Sequence, residues 1–523
     1  MPLYRSGNII VSPETKTLLI PKCFVPSSIQ HRVVSMAGHD VCIFPHTVPV
    51  VHKLAASGLS APSPIYTQYD WPGLFAPYDA QKKTAAFLTE HSRAYCLSQM
   101  GVGKTMASLW AADFLMREGV IQQVLIVSPL STLRTVWANE IETHLPHRTS
   151  VVLHGTKAKR LALLRTPADF YIINHDGVRV LQAELAQMNA LNLVIIDELS
   201  EYRTAYKQRW RALHSLTSKP TTFVWGLTGT PTPNSPTDVF GQAKLVTPHT
   251  VPKSFGRFRD DTMMRVSPFI WVERSNATET AHRALQPAIR FERSDCVDLP
   301  PIVRTTRICA LTPEQEKLLK ELEHKFHTEY GGSAISAANE AVVLSKMLQV
   351  ISGDVYATDG VAVSIPTAPR LAVLHELIRE AEGKVIIFAP FISIVKTLVN
   401  ELKTVYSVRM VVGDTSDEER HEIFTKFQQE TDPQILIAHP RPVSHGLTLT
   451  AATMILWYAP ITSNNIYEQA CARISRSGQT KTQIVAHIEA TALEHKMYKR
   501  LEQKQKMQGL LLEMFGGQQA QTT

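Results

Sequence analysis

Ser98-Gln99-Met100-Gly101-Val102-Gly103-Lys104-Thr105 is preceded by an apolar run, Ala94-Tyr95-Cys96-Leu97, and followed by a stretch of helical composition, Met106 to Met116. A buried strand that turns through glycines into a helix points the first N–H groups of that helix, which have no intrahelical partner, at whatever lies above the turn. Phosphate oxygens fit such a cradle. The backbone of Met100, Gly101, Val102 and Gly103 would line it, Lys104 would reach the β and γ phosphates, and the Thr105 hydroxyl would ligate Mg²⁺. The strict pattern has glycine where this chain has Ser98, so the octet alone also suits an ordinary strand-to-helix turn.

A phosphate loop of this kind belongs in a parallel α/β sheet, and the flanking sequence supplies one. Val124 to Val127, Phe170 to Ile173, Leu193 to Ile196 and Phe223 to Leu227 are short apolar runs closed by polar or Gly/Pro turns, the pattern of strands buried on both faces. The pattern returns at Val385 to Phe388, Gln434 to Ala438, Met454 to Tyr458 and Ile484 to Ile488. Two doubly wound domains are expected. Between them Pro313 to Phe326 and Ala337 to Val350 have helical composition, the first opening on Thr312 with Gln315 at the capping-box position. Residues 1 to 55 alternate β-like runs with turns, and LSAPSPIYTQYDWPG has the composition of an ordered linker rather than a helix.

Further motifs follow strand ends. Asp197-Glu198 closes the run Leu193 to Ile196, at the edge where open α/β sheets bind ligands. Asp197 would hold Mg²⁺ through water, and Glu198 would orient or deprotonate the attacking water. A solvated strand end reads the same in isolation; the phosphate loop upstream gives the pair its meaning. Thr228-Gly229-Thr230, within Gly226 to Asn234, could sense the γ-phosphate and couple that state to other surfaces. Glu468 to Gln479 is expected to be a helix with Arg473 and Arg476 on one face, groups suited to a developing phosphoryl charge, or else a solvated basic face.

In this order the motifs resemble those of superfamily 2 helicase-like ATPases, specifically the Swi/Snf branch, from about residue 75 to 504. Pro77-Tyr78-Asp79-Ala80-Gln81 is similar to the entry motif whose glutamine reads adenine. SQMGVGKT resembles DEMGLGKT, and Ser128-Pro129-Leu130-Ser131-Thr132-Leu133 with Trp137 and Glu140 resembles the first DNA-contacting motif. Asp197-Glu198-Leu199-Ser200 stands where many members have DEAH. LTGTPTPN at 227 to 234, HGLTL at 445 to 449 and QACARISRSGQ at 469 to 479 match later motifs, with Thr448 in place of asparagine. The resemblance implies nucleotide roles for Gln81, Gln469, Arg473 and Arg476. It also implies a DNA grip by Ser128, Ser131, Thr132, His445 and Thr448. The fold it implies is α/β: two tandem RecA-like parallel-sheet motor domains with helical protrusions, after a small β-rich N-terminal domain. The expected boundaries are 1–70, 71–300 and 301–515, with a disordered tail at 516–523.

Composition sets the outer limits. In 523 residues, 54 Lys and Arg face 47 Asp and Glu, a net charge of +7 that permits a polyanionic partner without requiring one. Six cysteines without a CxxC pair fit reduced thiols rather than a zinc site. No basic leader with a long apolar core and no membrane-length apolar run is seen, so a soluble, intracellular protein is expected; the resemblance implies the cytoplasm of a bacterial or phage-infected cell. The expected cofactors are ATP and Mg²⁺. Double-stranded and branched DNA are the expected partners, with replication or recombination proteins possible and a monomer favoured. The resemblance is strongest to compact phage or prokaryotic enzymes that drive fork regression or branch migration. A translocase that displaces bound proteins, or a DNA-binding module with a degenerate ATPase, are the alternatives.

Overall fold

The computed structural model describes residues 4–6, 9–25, 32–36, 38–233, 235–267, 270–292, 296, 300, 302–330, 337–356, 362–443, 449–475 and 479–503. Asn234, His445, Thr448, Arg476 and the tail 516–523 lie outside the described residues. The chain divides into two compact units, Met1–Val297 and Asp298–Thr523.

In the first unit seven parallel strands lie in the spatial order Ala288–Ile289, Arg93–Cys96, Phe223–Leu227, Leu191–Asp197, Gln123–Ser128, Phe170–Asn174 and Ser150–Val152. Alternate side chains of these strands enter opposite cores. Tyr95, Leu125, Val127, Tyr171, Ile173, Val194 and Ile196 pack on one face. Ala94, Cys96, Val124, Ile126, Ile172, Leu193 and Ile195 pack on the other. Helices cover both sides, which is why the strands read as unbroken apolar runs.

An antiparallel five-stranded sheet precedes it, in the order Tyr4–Ser6, Ile9–Ser12, Thr17–Pro21, His39–Pro45 and Arg32–Met36. Its buried face, with Val11, Leu18, Ile20 and Phe44, is closed by Val51 and Leu54 of the helix Val48–Ala56. The segment expected to be an ordered linker rather than a helix contains one helical turn, Ile65–Gln68, anchored by the fully buried Ile65. It is stitched to the parallel-sheet region: Ser63 and Thr89 share a 2.6 Å hydroxyl contact, and the Tyr69 hydroxyl donates to Asp113 Oδ2 at 2.7 Å.

The second unit has six parallel strands in the order Ile302–Ile308, Gln483–Glu489, Ala452–Trp457, Lys384–Phe388, Ile435–Ala438 and Val408–Val411. Helices Pro313–Tyr330 and Ala337–Ser352 lie where helical composition was seen. Thr312 N–H donates to Gln315 Oε1 at 3.0 Å and Gln315 N–H to Thr312 Oγ1 at 3.3 Å, the expected reciprocal cap. In the first unit, Met263–Ser267 and Ile270–Glu273 pair as an antiparallel hairpin. Arg259 lies over the Trp271 ring at 3.9 Å and covers one side of it.

Candidate nucleotide-binding site

The strand Arg93–Cys96 runs into the phosphate loop, and the loop ends on the 14-residue helix Lys104–Arg117. Gly101 and Gly103 have φ of 84° and 81°, the left-handed region where a side chain is costly. Gly103 occupies the position just before the helix, so the first amide groups of that helix border the loop. Lys104 Nζ donates to the carbonyls of Ser98 at 2.7 Å and Gln99 at 3.0 Å, which holds its ammonium against the loop. The buried Ser98 explains its own departure from glycine. Its hydroxyl accepts the N–H of Phe291 at 3.0 Å, and Gln99 N–H donates to Phe291 O at 3.0 Å. The chain beyond the edge strand Ala288–Ile289 thus runs along the loop itself.

Two strands away, Leu191–Asp197 delivers Asp197 and Glu198 to the same end of the sheet. Asp197 Oδ2 accepts from Ser128 Oγ and from Trp137 Nε1, each at 3.0 Å, and Oδ1 accepts the Glu198 N–H at 3.1 Å. Glu198 has φ 50°, a sparsely used conformation for a residue with a Cβ. Leu199 and Ser200, where the resemblance left open what they do, are buried. Leu199 fills the space beside Gly226 on the neighbouring strand, where a Cβ would meet its Cδ2 at 2.5 Å.

Between these two strands, Phe223–Leu227 leads into Thr228-Gly229-Thr230. Thr228 N–H donates to Cys96 O at 3.1 Å, and a Cβ on Gly229 would lie 3.6 Å from Ser98 O and 3.8 Å from Met100 N. The expected coupling loop therefore rests on the phosphate loop. Gln242 Nε2 secures its far end through Pro231 O at 2.6 Å. Gln81 is buried beside Gly103; its Oε1 accepts Tyr78 N–H at 2.9 Å, closing the helix Asp79–Glu90 with a capping box. The donor set offered to a cation, the Thr105 hydroxyl and Asp197 carboxylate, is all oxygen and suits Mg²⁺. The glycine cradle fits the phosphates it would accompany.

Two expectations change. Ser128 and Thr132 point inward: Ser128 is fully buried, with its hydroxyl on Asp197 and on Thr132 Oγ1, so it supports the acidic strand end rather than facing a DNA surface. Of the three residues only Ser131 is partly exposed. In the second unit the helix Asn464–Cys471 stops before Arg473, whose N–H closes a tighter turn on Ala470 O at 3.2 Å. Arg473 is buried in the following turn, and Arg476, its expected partner on one face, lies outside the described residues. Gln469 is buried and donates to Asn465 Oδ1 at 3.0 Å.

The second sheet also bears a cavity of about 650 Å³ at its carboxyl edge, lined by Phe391, Gly413, His439, Arg441 and Ser463 together with Leu348 of the preceding helix. Burial, and then the Arg441 guanidinium, lower the His439 pKa and favour a neutral ring. Phe391 and His439 follow the strands read at Val385 to Phe388 and Gln434 to Ala438, whereas Gly413 follows Val408–Val411, an edge strand that was not read from the sequence.

Phosphate-loop chemistry on adjacent parallel strands, followed by a second parallel α/β unit, is that of the helicase-like ATPases. The chain belongs to the SNF2-related domain family, whose model matches residues 81–353, and the helicase conserved C-terminal domain matches residues 369–478. It is 24% identical over 461 residues to protein p41 of Acyrthosiphon pisum secondary endosymbiont phage 1, covering 84% of this chain and 98% of that one. It is 25% identical over 451 residues to the human DNA annealing helicase and endonuclease ZRANB3, covering 81% of this chain but only 39% of the human protein. The Sulfolobus solfataricus SWI2/SNF2 ATPase core, solved with double-stranded DNA, is 20% identical with a TM-score of 0.42, covering 83% of this chain and 92% of that one. No helix among the described residues is long and apolar enough to cross a membrane.

Proposed function

We propose that this chain is a DNA-stimulated ATPase that steps along duplex DNA and remodels branched DNA by fork regression or branch migration. The motor part rests on one observation: Lys104, Asp197 and the Thr228 loop occupy the carboxyl ends of three adjacent parallel strands. On this reading the loop amides and Lys104 bind the phosphates, Thr105 and Asp197 hold Mg²⁺, and Glu198 orients water for attack. Bound Mg²⁺ supplies charge neutralisation at the β and γ phosphates. Gln81 is proposed to read the adenine edge, and Gln469, Arg473 and Arg476 to act on the nucleotide in the transition state.

The branched-DNA substrate is supported by the likeness to the human protein named as a DNA annealing helicase. For the DNA grip we propose Ser131 in the first unit, and His439 and Arg441 with His445 and Thr448 in the second. Hydroxyl, imidazole and guanidinium groups suit backbone phosphates and carry no sequence information.

The test is conversion of three-way and four-way DNA junctions with ATP. ATP-dependent product formation is expected from the wild-type chain and none from Lys104→Ala. Translocation on plain duplex without junction processing would replace the remodelling assignment by displacement of bound proteins. Equal ATP hydrolysis by wild type and Lys104→Ala would overturn the motor assignment.

A further inference from the structure

Asp197 is held by more than its strand. Its Oδ2 receives two neutral donors, the Ser128 hydroxyl and the Trp137 indole N–H, while among the described residues Oδ1 carries only the N–H of Glu198. Each carboxylate oxygen has capacity for about two acceptor contacts, so Oδ2 is filled and Oδ1 retains room for a water-held cation. Trp137 is fully buried and lies on a single π-helical turn, Leu133–Ala138, between the 3-10 turn Leu130–Thr132 and the helix Asn139–His144. Isolated π turns of this kind gather at functional sites. The outer side of the same segment exposes Leu130, Arg134 and Asn139. Thr132 links the segment back, donating to Pro129 O at 2.9 Å and touching Ser128 Oγ.

We propose that Trp137 and Ser128 are positioning residues for the Asp197 carboxylate, and that DNA on the outer face of the π turn sets that carboxylate for its cation. An indole N–H can only donate, so Trp137 serves the carboxylate as a donor and in no other way. Because Trp137 is wedged in the core, a displacement of the turn carries the indole, and with it the orientation of Oδ1. Outer groups that orient a metal-binding carboxylate typically change metal affinity by about 10- to 100-fold when removed. The inference rests on the nucleotide-site assignment made under Proposed function.

The test uses the full chain, Mn²⁺ as the probe cation, and electron paramagnetic resonance titration with a non-hydrolysable ATP analogue, with and without blunt duplex DNA. Wild type should bind Mn²⁺ more tightly when duplex is added. Trp137→Phe, which keeps a ring but no donor, should weaken Mn²⁺ binding by roughly tenfold and abolish the response to DNA. Ser128→Ala removes the second donor with little change in packing and should shift Mn²⁺ binding in the same direction. Trp110→Phe is the packing control: Trp110 is as deeply buried in the same core, but its N–H donates to Pro72 O, so melting temperature should fall while Mn²⁺ binding stays at wild type. Wild-type Mn²⁺ binding and DNA response in both Trp137→Phe and Ser128→Ala would overturn the inference. A wild-type chain that neither binds the analogue nor hydrolyses ATP would instead overturn the nucleotide-site assignment.

Discussion

Gly103 and Gln81 are in contact across the phosphate loop: a Cβ built on Gly103 would strike Gln81 Nε2, and the glycine sits at φ 81°. Gly103→Ala therefore meets two penalties, the collision and about 1–2 kcal/mol of left-handed strain. Fluorescent-nucleotide titration should show binding lost in a folded protein. Wild-type affinity would mean that the loop and Gln81 move apart without cost.

Glu198→Gln separates binding from turnover. The amide cannot take a proton from water, so DNA-stimulated hydrolysis should fall by roughly 100-fold or more while nucleotide affinity stays near wild type. Steady-state rates paired with equilibrium titration make the check. A parallel loss of affinity would place Glu198 in ground-state binding.

Arg476→Ala is expected to behave in the same way, because a guanidinium that meets developing phosphoryl charge contributes chiefly in the transition state. Its kcat should collapse with nucleotide affinity largely kept. Retained turnover would remove residue 476 from the chemistry.

Arg370 and Glu494 form an ion pair at 2.7 Å with both side chains essentially inaccessible. Arg370 also donates to the carbonyls of Tyr458 and Ile488, and Glu494 Oε2 accepts the N–H of Ala490 at 2.7 Å. Arg370→Met strands a buried carboxylate and should destabilise the chain by about 3–5 kcal/mol. Arg370→Met combined with Glu494→Leu should recover much of that loss in a denaturant titration. An additive double variant would show that the pair is not coupled.

His487 is expected to make the protein acid-sensitive. Burial, with a smaller contribution from Arg304, pushes its pKa down to about 3, while the ring stacks on Tyr498 at 3.9 Å and meets the Tyr467 hydroxyl at 2.8 Å. Glu502, 3.8 Å from Nδ1, favours the charged ring but does not outweigh burial. The unfolded chain takes up a proton near pH 6.5 and the folded ring does not, so the stabilisation is present above that pH. It is lost by roughly 1.4 kcal/mol per pH unit below it, until the folded ring titrates. His487→Gln should flatten the decline in melting temperature between pH 7 and pH 5; an unchanged slope would assign acid sensitivity to other groups.

Strands buried on both faces were legible because nothing polar interrupts them, as at Leu193 to Ile196. Ile302–Ile308 was not: as an edge strand it alternates partly buried with exposed positions and carries two arginines and two threonines. The hairpin Met263–Glu273 is likewise a two-stranded element without a sheet to bury it. The order of the nucleotide motifs could be read because each is local. The hydroxyl of Ser98 meeting the Phe291 N–H could not, since the partners lie 193 residues apart. Ser128 illustrates the converse limit: a hydroxyl at a strand end serves a ligand or a neighbouring acid, and only the fold shows that Asp197 has claimed it.

The edge strand that lies along the phosphate loop has a practical corollary for dissecting the molecule. Leu97, Ser98 and Gln99 take backbone partners from Ile289 and Phe291, so a fragment ending before Phe291 would lose part of the wall that shapes its own nucleotide pocket. A first unit prepared in isolation must carry its chain through that residue, or its failure to bind nucleotide would reflect the cut and not the absence of the second unit.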